Sequence, residues 1–326
     1  MKDKENFMAV VNHKTAESVP VYSRPVRFNI GFDDEFERGP AAGGLDGFGV
    51  TWARDGMGGV PTARDLVLPD VTKWRERVKF PDLDAIDWEE KSRRELEDVD
   101  RTAQCVEYSM ANGPFERMVA LMTYEGFIYA LEDEPEACHE LLDAYCDYRI
   151  RHIDIVSRYY RPDFISIFDD CAYEYGPFLS HDLYLKFISP IHKRCNDAIR
   201  ARGIIPIQHC CGKADSLAGD FVAEGAAMWT SVQASNDIVS VLKKYGDRLV
   251  LAGGFDTNGA PARIGATEEE RRAEIRRCID TYAPYGSYML SNLIVQGETP
   301  EKGREYSRQL VDEALKYGKD FYKRRA

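Results

Sequence analysis

A chain of 326 residues with a net charge of −12 and a pI near 5.1 is poorly matched to nucleic acid or to an anionic membrane surface, both of which recruit basic patches. No stretch approaches the ~18 apolar residues of a membrane span, and the opening Met1-Lys2-Asp3-Lys4-Glu5 has no apolar signal core, so the expectation is a soluble, cytoplasmic protein. Eight scattered cysteines without secretory context read as thiols or ligands rather than as disulfides.

The chain opens on a helix, followed by Val19-Pro20-Val21-Tyr22, an apolar strand running towards Phe28. Residues 33 to 70 lack periodicity and are rich in glycine, with Phe48, Trp52 and Met57 interspersed. Such a segment inside a compact domain is either a lid or binding insertion, or a surface excursion whose aromatics plug a barrel end. A helix from Trp88 to Arg101 leads into a strand over 104–110. Helices then follow over 115–131, 134–160, 181–202, 216–224, 237–245, 267–283 and 300–325. Strands alternate with them over 164–168, 204–209, 227–232, 249–252 and 288–292. Repeated βα units with glycine turns indicate a parallel sheet covered by helices. Seven strands, with an eighth unassigned, fit an α/β fold of the (β/α)8 TIM-barrel type better than an open sheet. No linker interrupts the pattern, so residues 1–326 read as one barrel domain with an irregular insertion at about 33–70.

Chemistry in such a barrel sits at the C-terminal ends of the strands. The run from Ile204 ends in His209-Cys210-Cys211-Gly212. Alternation along a strand puts His209 and Cys211 on one face and Cys210 on the other. Imidazole plus thiolate is a donor set suited to zinc, although a buried His-Cys-Cys run also serves as core filling. Neighbouring strands lie about 4.8 Å apart, so Cys171, after the preceding strand, is expected to supply the third ligand. Asp143 is a rival, ranked lower because its helix runs towards the barrel bottom. Asp169 and Asp170 stand beside Cys171 as candidate acids, and Asn292 ends the last strand. Phe48, Trp52 and Phe178 are candidate substrate contacts, though core packing uses the same residue types.

Three groups of segments together resemble the uroporphyrinogen decarboxylase superfamily over nearly the whole chain. They are Asn112-Gly113-Pro114-Phe115-Glu116; Phe168-Asp169-Asp170 through Gly176-Pro177-Phe178-Leu179-Ser180; and His209-Cys210-Cys211-Gly212 with Glu224-Gly225-Ala226 and Tyr245-Gly246 through Gly253-Gly254-Phe255-Asp256. The resemblance implies a distorted (β/α)8 barrel and either a tetrapyrrole decarboxylase or a zinc-dependent methyltransferase working with a corrinoid protein. Phe80-Pro81-Asp82-Leu83-Asp84 and the glycine-rich insertion resemble the methyltransferase branch, including its O-demethylases. The decarboxylases' N-terminal arginine block is replaced by Ser23-Arg24-Pro25-Val26-Arg27-Phe28, a different pattern. Thiol-methylating members carry a further cysteine near the last strands, and Ser287 to Gly297 contains none.

The resemblance therefore implies a methyltransferase with Zn2+ on His209, Cys211 and Cys171. It would move a methyl group from a methoxylated aromatic to the cobalamin-type corrinoid of a partner protein, with Asp169 or Asp170 assisting the leaving oxygen. Transfer from a methylcorrinoid to a thiol, a metal-free decarboxylase and a non-catalytic docking module for a corrinoid protein are the alternatives.

Overall fold

Short apolar runs, each closed by a turn, become the strands of one curled parallel sheet. In the computed structural model, which describes residues 1–54 and 59–325, this sheet has seven strands. They are β1 (Val26–Ile30), β2 (Cys105–Met110), β3 (Phe164–Phe168), β4 (Ile205–His209), β5 (Met228–Val232), β6 (Val250–Gly253) and β7 (Tyr288–Met289), and they pair in that order. The predicted strand from Val19 is split in two, because a turn at residues 22–25 separates Val21 from β1. Val21 instead forms a parallel bridge to Leu290. The Tyr22 N–H donates to Leu290 O at 2.9 Å, and the Leu290 N–H donates to Pro20 O at 3.0 Å. The sheet thus curls until its last strand meets the segment that leads into its first, a TIM-barrel-like architecture.

Period-two alternation sorts the strand residues into two cores. Cys105, Phe164, Ile207, Met228, Val250 and Met289 form one cluster with Phe7 and Val10 of the opening helix Asp3–Val11. Phe7 meets Phe164, the first residue of β3, edge to face at 5.8 Å, so this helix plugs the N-terminal end of the barrel. Val106, Tyr108, Ile165, Trp229, Leu251 and Tyr288 point the other way, into the shell beneath the covering helices. His209 is in phase with Ile207 and therefore faces the barrel interior, at its open C-terminal end.

Two predicted helices are interrupted for identifiable reasons. The one over 115–131 breaks into Pro114–Met122 and Tyr124–Asp133 at Thr123. Thr123 takes φ of 72° and accepts the Gly126 N–H, capping the second helix. The one over 181–202 widens into a π turn at Tyr184–Ile188 just before Pro190, which has no N–H for the regular ladder.

Among its described residues the insertion at about 33–70 carries short elements joined by turns. It holds a short helix, Glu35–Arg38, and a three-stranded antiparallel sheet of Gly44–Leu45, Thr51–Arg54 and Gly59–Pro61. Met57 lies outside the described residues. Buried Asp46 organises the segment. Its carboxylate accepts the N–H groups of Phe48 at 2.9 Å and Val50 at 2.8 Å, the Trp52 indole at 2.9 Å and Arg117 Nη1 at 2.7 Å. Glu37, also buried, meets Arg117 at 3.1 Å and Arg149 at 2.8 Å. These ions tie the insertion to the helices Pro114–Met122 and Pro135–Tyr159. Removing Arg117 leaves Asp46 buried and charged without its cation and Glu37 with Arg149 alone. Arg117→Met should therefore destabilise the fold by about 3–5 kcal/mol in urea unfolding, and a loss near ~0.5 kcal/mol would show the network to be dispensable.

Candidate functional site

Where β3, β4 and β5 end, a cavity of about 1250 Å³ opens, and Phe168, Asp170, His209 and Ser231 lie on its wall. The His209 ring stacks on Phe168 with centroids 3.8 Å apart. Its Nδ1 lies 3.1 Å from Thr230 Oγ1, on the neighbouring strand. With Nδ1–H donating to Thr230, Nε2 keeps its lone pair and faces Cys211 Sγ at 3.7 Å. Burial holds the imidazole pKa down at about 3, so the ring is neutral at physiological pH. Cys211 Sγ lies 3.0 Å from Ser231 Oγ, which also accepts Asn292 Nδ2 at 2.7 Å. Burial, followed by the nearby Asp170 carboxylate, pushes the Cys211 thiol above its ordinary range.

Asp170 completes the group. Its Oδ1 accepts the Cys211 N–H at 2.7 Å. Burial, reinforced by Asp169, pushes its pKa up to about 6. Ligand atoms of Asp170, His209 and Cys211 all lie within 4.8 Å of one another. On a tetrahedral zinc, bonds of ~2.05 Å to nitrogen and ~2.3 Å to sulfur put the two donors about 3.6 Å apart. The 3.7 Å between His209 and Cys211 matches that spacing, and the Thr230 contact supplies the outer hydrogen bond that metal-bound imidazoles need. The donor set and its spacing fit a zinc ion.

Glu116 lines the same cavity. Burial first, then Asp170 and Asp169, raises its pKa well above the ordinary carboxylate value, which favours its protonated form. Asp169 has a different task. It is fully buried and turned away from the cavity, accepting the N–H groups of Phe115 at 3.1 Å and Glu116 at 2.8 Å. Those are orphan donors at the start of helix Pro114–Met122, where a carboxylate is favoured. A Cβ at Gly113 would collide with the Asp169 side chain, so the position needs glycine. On its other side Asp169 meets His192 Nε2 at 2.8 Å, and His192 Nδ1 meets Glu224 at 3.3 Å. Burial alone would lower the His192 pKa, but hydrogen bonds to Asp169 and Glu224 outweigh it and raise it to about 10.

The family model described as "Uroporphyrinogen decarboxylase (URO-D)" matches residues 96–293, more than half of the chain. The chain belongs to the uroporphyrinogen decarboxylase family. A methyltransferase from Methanosarcina mazei shares the family's architecture here, with a TM-score of 0.69 over 97% of this chain and 99% of that one. At 15% identity that likeness concerns the fold. A dihydropteroate synthase from Xanthomonas albilineans aligns with 65% of the chain and 68% of its own length, at 12% identity and a TM-score of only 0.35. No curated sequence matches the chain.

Within this family member the expected site residues divide. His209, Asp170 and Asn292 line the cavity, and Cys211 stands directly behind that wall against His209 and Ser231. Cys171 does not join them, which corrects the expectation for the third ligand. It is buried beside Asp169, to which its thiol donates at 3.5 Å, in a separate group with His192. The reason is the turn after β3, which sends Asp170 into the cavity and the side chains of Asp169 and Cys171 behind it. Asp143 is exposed and paired with Arg194 at 2.7 Å. Phe48 and Trp52 are also corrected as substrate contacts. They are 2% and 3% exposed, packed within the insertion and absent from the cavity wall. Phe178 stacks on Phe115 and Tyr173, likewise off that wall. The sequence reading missed Glu116, although its segment carried the family resemblance, and it missed Thr230 and Ser231 because hydroxyls at a strand end carry no distinctive pattern.

The His192 shift has a measurable consequence. A pKa raised from 6.5 to about 10 contributes stability that is complete below pH ~6.5 and lost as pH rises through about 10. Urea unfolding at pH 6, 8 and 10 should show wild type losing stability more steeply than His192→Gln. Parallel pH profiles for the two proteins would mean that no buried imidazolium is present.

Proposed function

We propose that the protein is a methyltransferase that moves a methyl group from an aryl methyl ether to the corrinoid of a partner protein, with zinc held by Asp170, His209 and Cys211. The observation that carries this reading is the convergence of one carboxylate, one neutral imidazole and one thiol at the strand ends, with the carboxylate and the imidazole on the cavity wall. The resemblance in architecture to a methyltransferase supports the same choice. Zinc, when bound, stabilises negative charge on the oxygen that loses its methyl group.

The chain's own residues supply the rest. Phe168 and Phe255 give the cavity aromatic walls for a ring, which orient the ether towards the donor cluster. Glu116, protonated beside Asp170, holds a proton that passes to the aryl oxygen as the carbon–oxygen bond breaks. The methyl carbon leaves in the opposite direction, to Co(I) of the partner's corrinoid. A cavity of about 1250 Å³ exceeds the ~300–1,000 Å³ of ordinary ligand pockets and leaves room for that second reactant.

Metal analysis of purified variants tests the ligand set. Wild type should carry about one zinc per chain. Cys211→Ala should lose most of it and Asp170→Asn a large part, while Cys171→Ser, Cys210→Ala and Asp143→Asn keep it. Full zinc in Cys211→Ala, or loss in Cys171→Ser, would refute the assignment. For the activity, wild type mixed with a reduced corrinoid protein and a methoxylated aromatic should convert Co(I) to methyl-Co(III), read in the cobalamin spectrum. Removing zinc should abolish this without unfolding the barrel. A metal-free preparation that decarboxylates a tetrapyrrole would overturn the reading in favour of the family's other chemistry.

A further inference from the structure

Two neighbouring hydroxyls of β5 meet two of the proposed zinc ligands. Thr230 Oγ1 lies 3.1 Å from His209 Nδ1, and Ser231 Oγ lies 3.0 Å from Cys211 Sγ. On a regular strand consecutive side chains point to opposite faces, so the two could not serve one site. A β-bulge removes that restriction. Thr230 pairs with Ala252 of β6 and Val232 with Gly253, which leaves Ser231 as an extra residue between them. The partner strand is adapted to the bulge, because a Cβ at Gly253 would collide with the Val232 carbonyl oxygen.

The bulge strains the backbone. Ser231 takes φ of 64°, in the left-handed region that side chains other than asparagine and aspartate seldom adopt. Among the described residues eight that are not glycine have such a φ, and Asn29, Asn112, Ser231 and Asn292 of these line the cavity. Strain gathered at a cleft marks a functional constraint rather than a packing one. Three of the four are asparagines, which tolerate the conformation, and the fourth is Ser231. Glycine would relieve the strain there, so what serine adds is its hydroxyl.

The direction of that hydroxyl is set from its far side. Asn292 Nδ2 donates to Ser231 Oγ at 2.7 Å and occupies a lone pair of the oxygen. The serine proton is then free to point at the sulfur. A thiolate that ligates a metal keeps negative charge and accepts such a bond, as metal ligands commonly do from their outer neighbours.

We propose that Ser231 is a positioning residue for the Cys211 thiolate, donating its O–H to the sulfur while Asn292 fixes the hydroxyl and the bulge places it. This rests on Cys211 as a zinc ligand and not on the identity of the methyl donor or acceptor.

The experiment measures zinc affinity, by competition with a chromophoric chelator, in wild type, Ser231→Gly, Ser231→Ala and Cys211→Ala. Urea unfolding of each metal-free protein accompanies it. Ser231→Gly should be at least as stable as wild type, because glycine adopts the left-handed backbone freely, and yet bind zinc roughly 10–100-fold more weakly. Ser231→Ala should lose affinity to a similar extent. In the cobalt(II)-loaded proteins the sulfur-to-cobalt charge-transfer band should move to longer wavelength in both variants. The lost hydrogen bond had stabilised the sulfur lone pair from which the electron departs, and a purely structural role would leave the band in place. Wild-type affinity in Ser231→Gly, or weaker affinity with an unmoved band, overturns the proposal and leaves Cys211 as a ligand. If wild type holds no zinc, or Cys211→Ala holds as much as wild type, the ligand assignment falls and this proposal falls with it.

Discussion

The site depends on one buried carboxylate that does not enter it. Asp169 accepts two backbone N–H groups from the start of helix Pro114–Met122, a hydrogen bond from the His192 imidazolium and a weak one from the Cys171 thiol. An ion buried this deeply is tolerated only when nearly every lone pair is used, and this one is. The result is a joint between the end of β3, the helix Pro114–Met122 and the helix Ser189–Ala201, which carries His192. With Asp169 fixed, the next residue has one direction left to point. Asp170 enters the cavity and accepts the Cys211 N–H, which sets the thiol's position in turn. The two adjacent aspartates look equivalent in sequence and differ entirely in work.

A second joint acts from outside the barrel. Asp46, Glu37, Arg117 and Arg149 pin the insertion against two helices, and one of these, Pro114–Met122, is the helix that Asp169 caps. The same insertion delivers Arg38 to the cavity wall and backs it with Trp52. Two buried ionic centres thus share one helix, and the segment between 33 and 70 is positioned relative to the donor cluster through it. Glu116, on the first turn of that helix, is placed by the same device.

The sheet was legible in the sequence because its strands are apolar runs closed by glycine or acidic turns, and a short period survives without any knowledge of partners. His209 and Cys211 emerged from alternation alone, since a strand fixes which of three consecutive residues share a face. The turn beyond a strand end obeys no such rule. Whether Asp170 or Cys171 turns inward after Phe168 depends on which side chain Asp169 and helix Pro114–Met122 claim first, and no local pattern encodes that competition. The aromatic residues of the insertion misled for a related reason. Phe48 and Trp52 have the size and polarity of ring-binding residues, but Asp46 gathers their backbone and indole N–H groups into a core of their own. The helix break at Thr123 and the π turn ahead of Pro190 were likewise tertiary outcomes, in stretches whose composition reads as continuous helix.

The energetics of the donor cluster bear on why it exists. Burial pushes Asp170 up to about 6, raises the Cys211 thiol above its ordinary range and drops His209 to about 3. All three shifts run in the direction that resists charge in a poorly solvated place, and none of the three groups gains an ion-pair partner in exchange. A core built for stability alone would fill these positions with apolar side chains, as β4 does at Ile205 and Ile207. A divalent cation reverses the balance. It favours the ionised carboxylate and thiolate and uses the neutral imidazole as it stands, so the same desolvation that penalises the bare cluster strengthens its hold on the metal. Strand ends carrying such a cluster are therefore better explained by what they bind than by what they contribute to the fold.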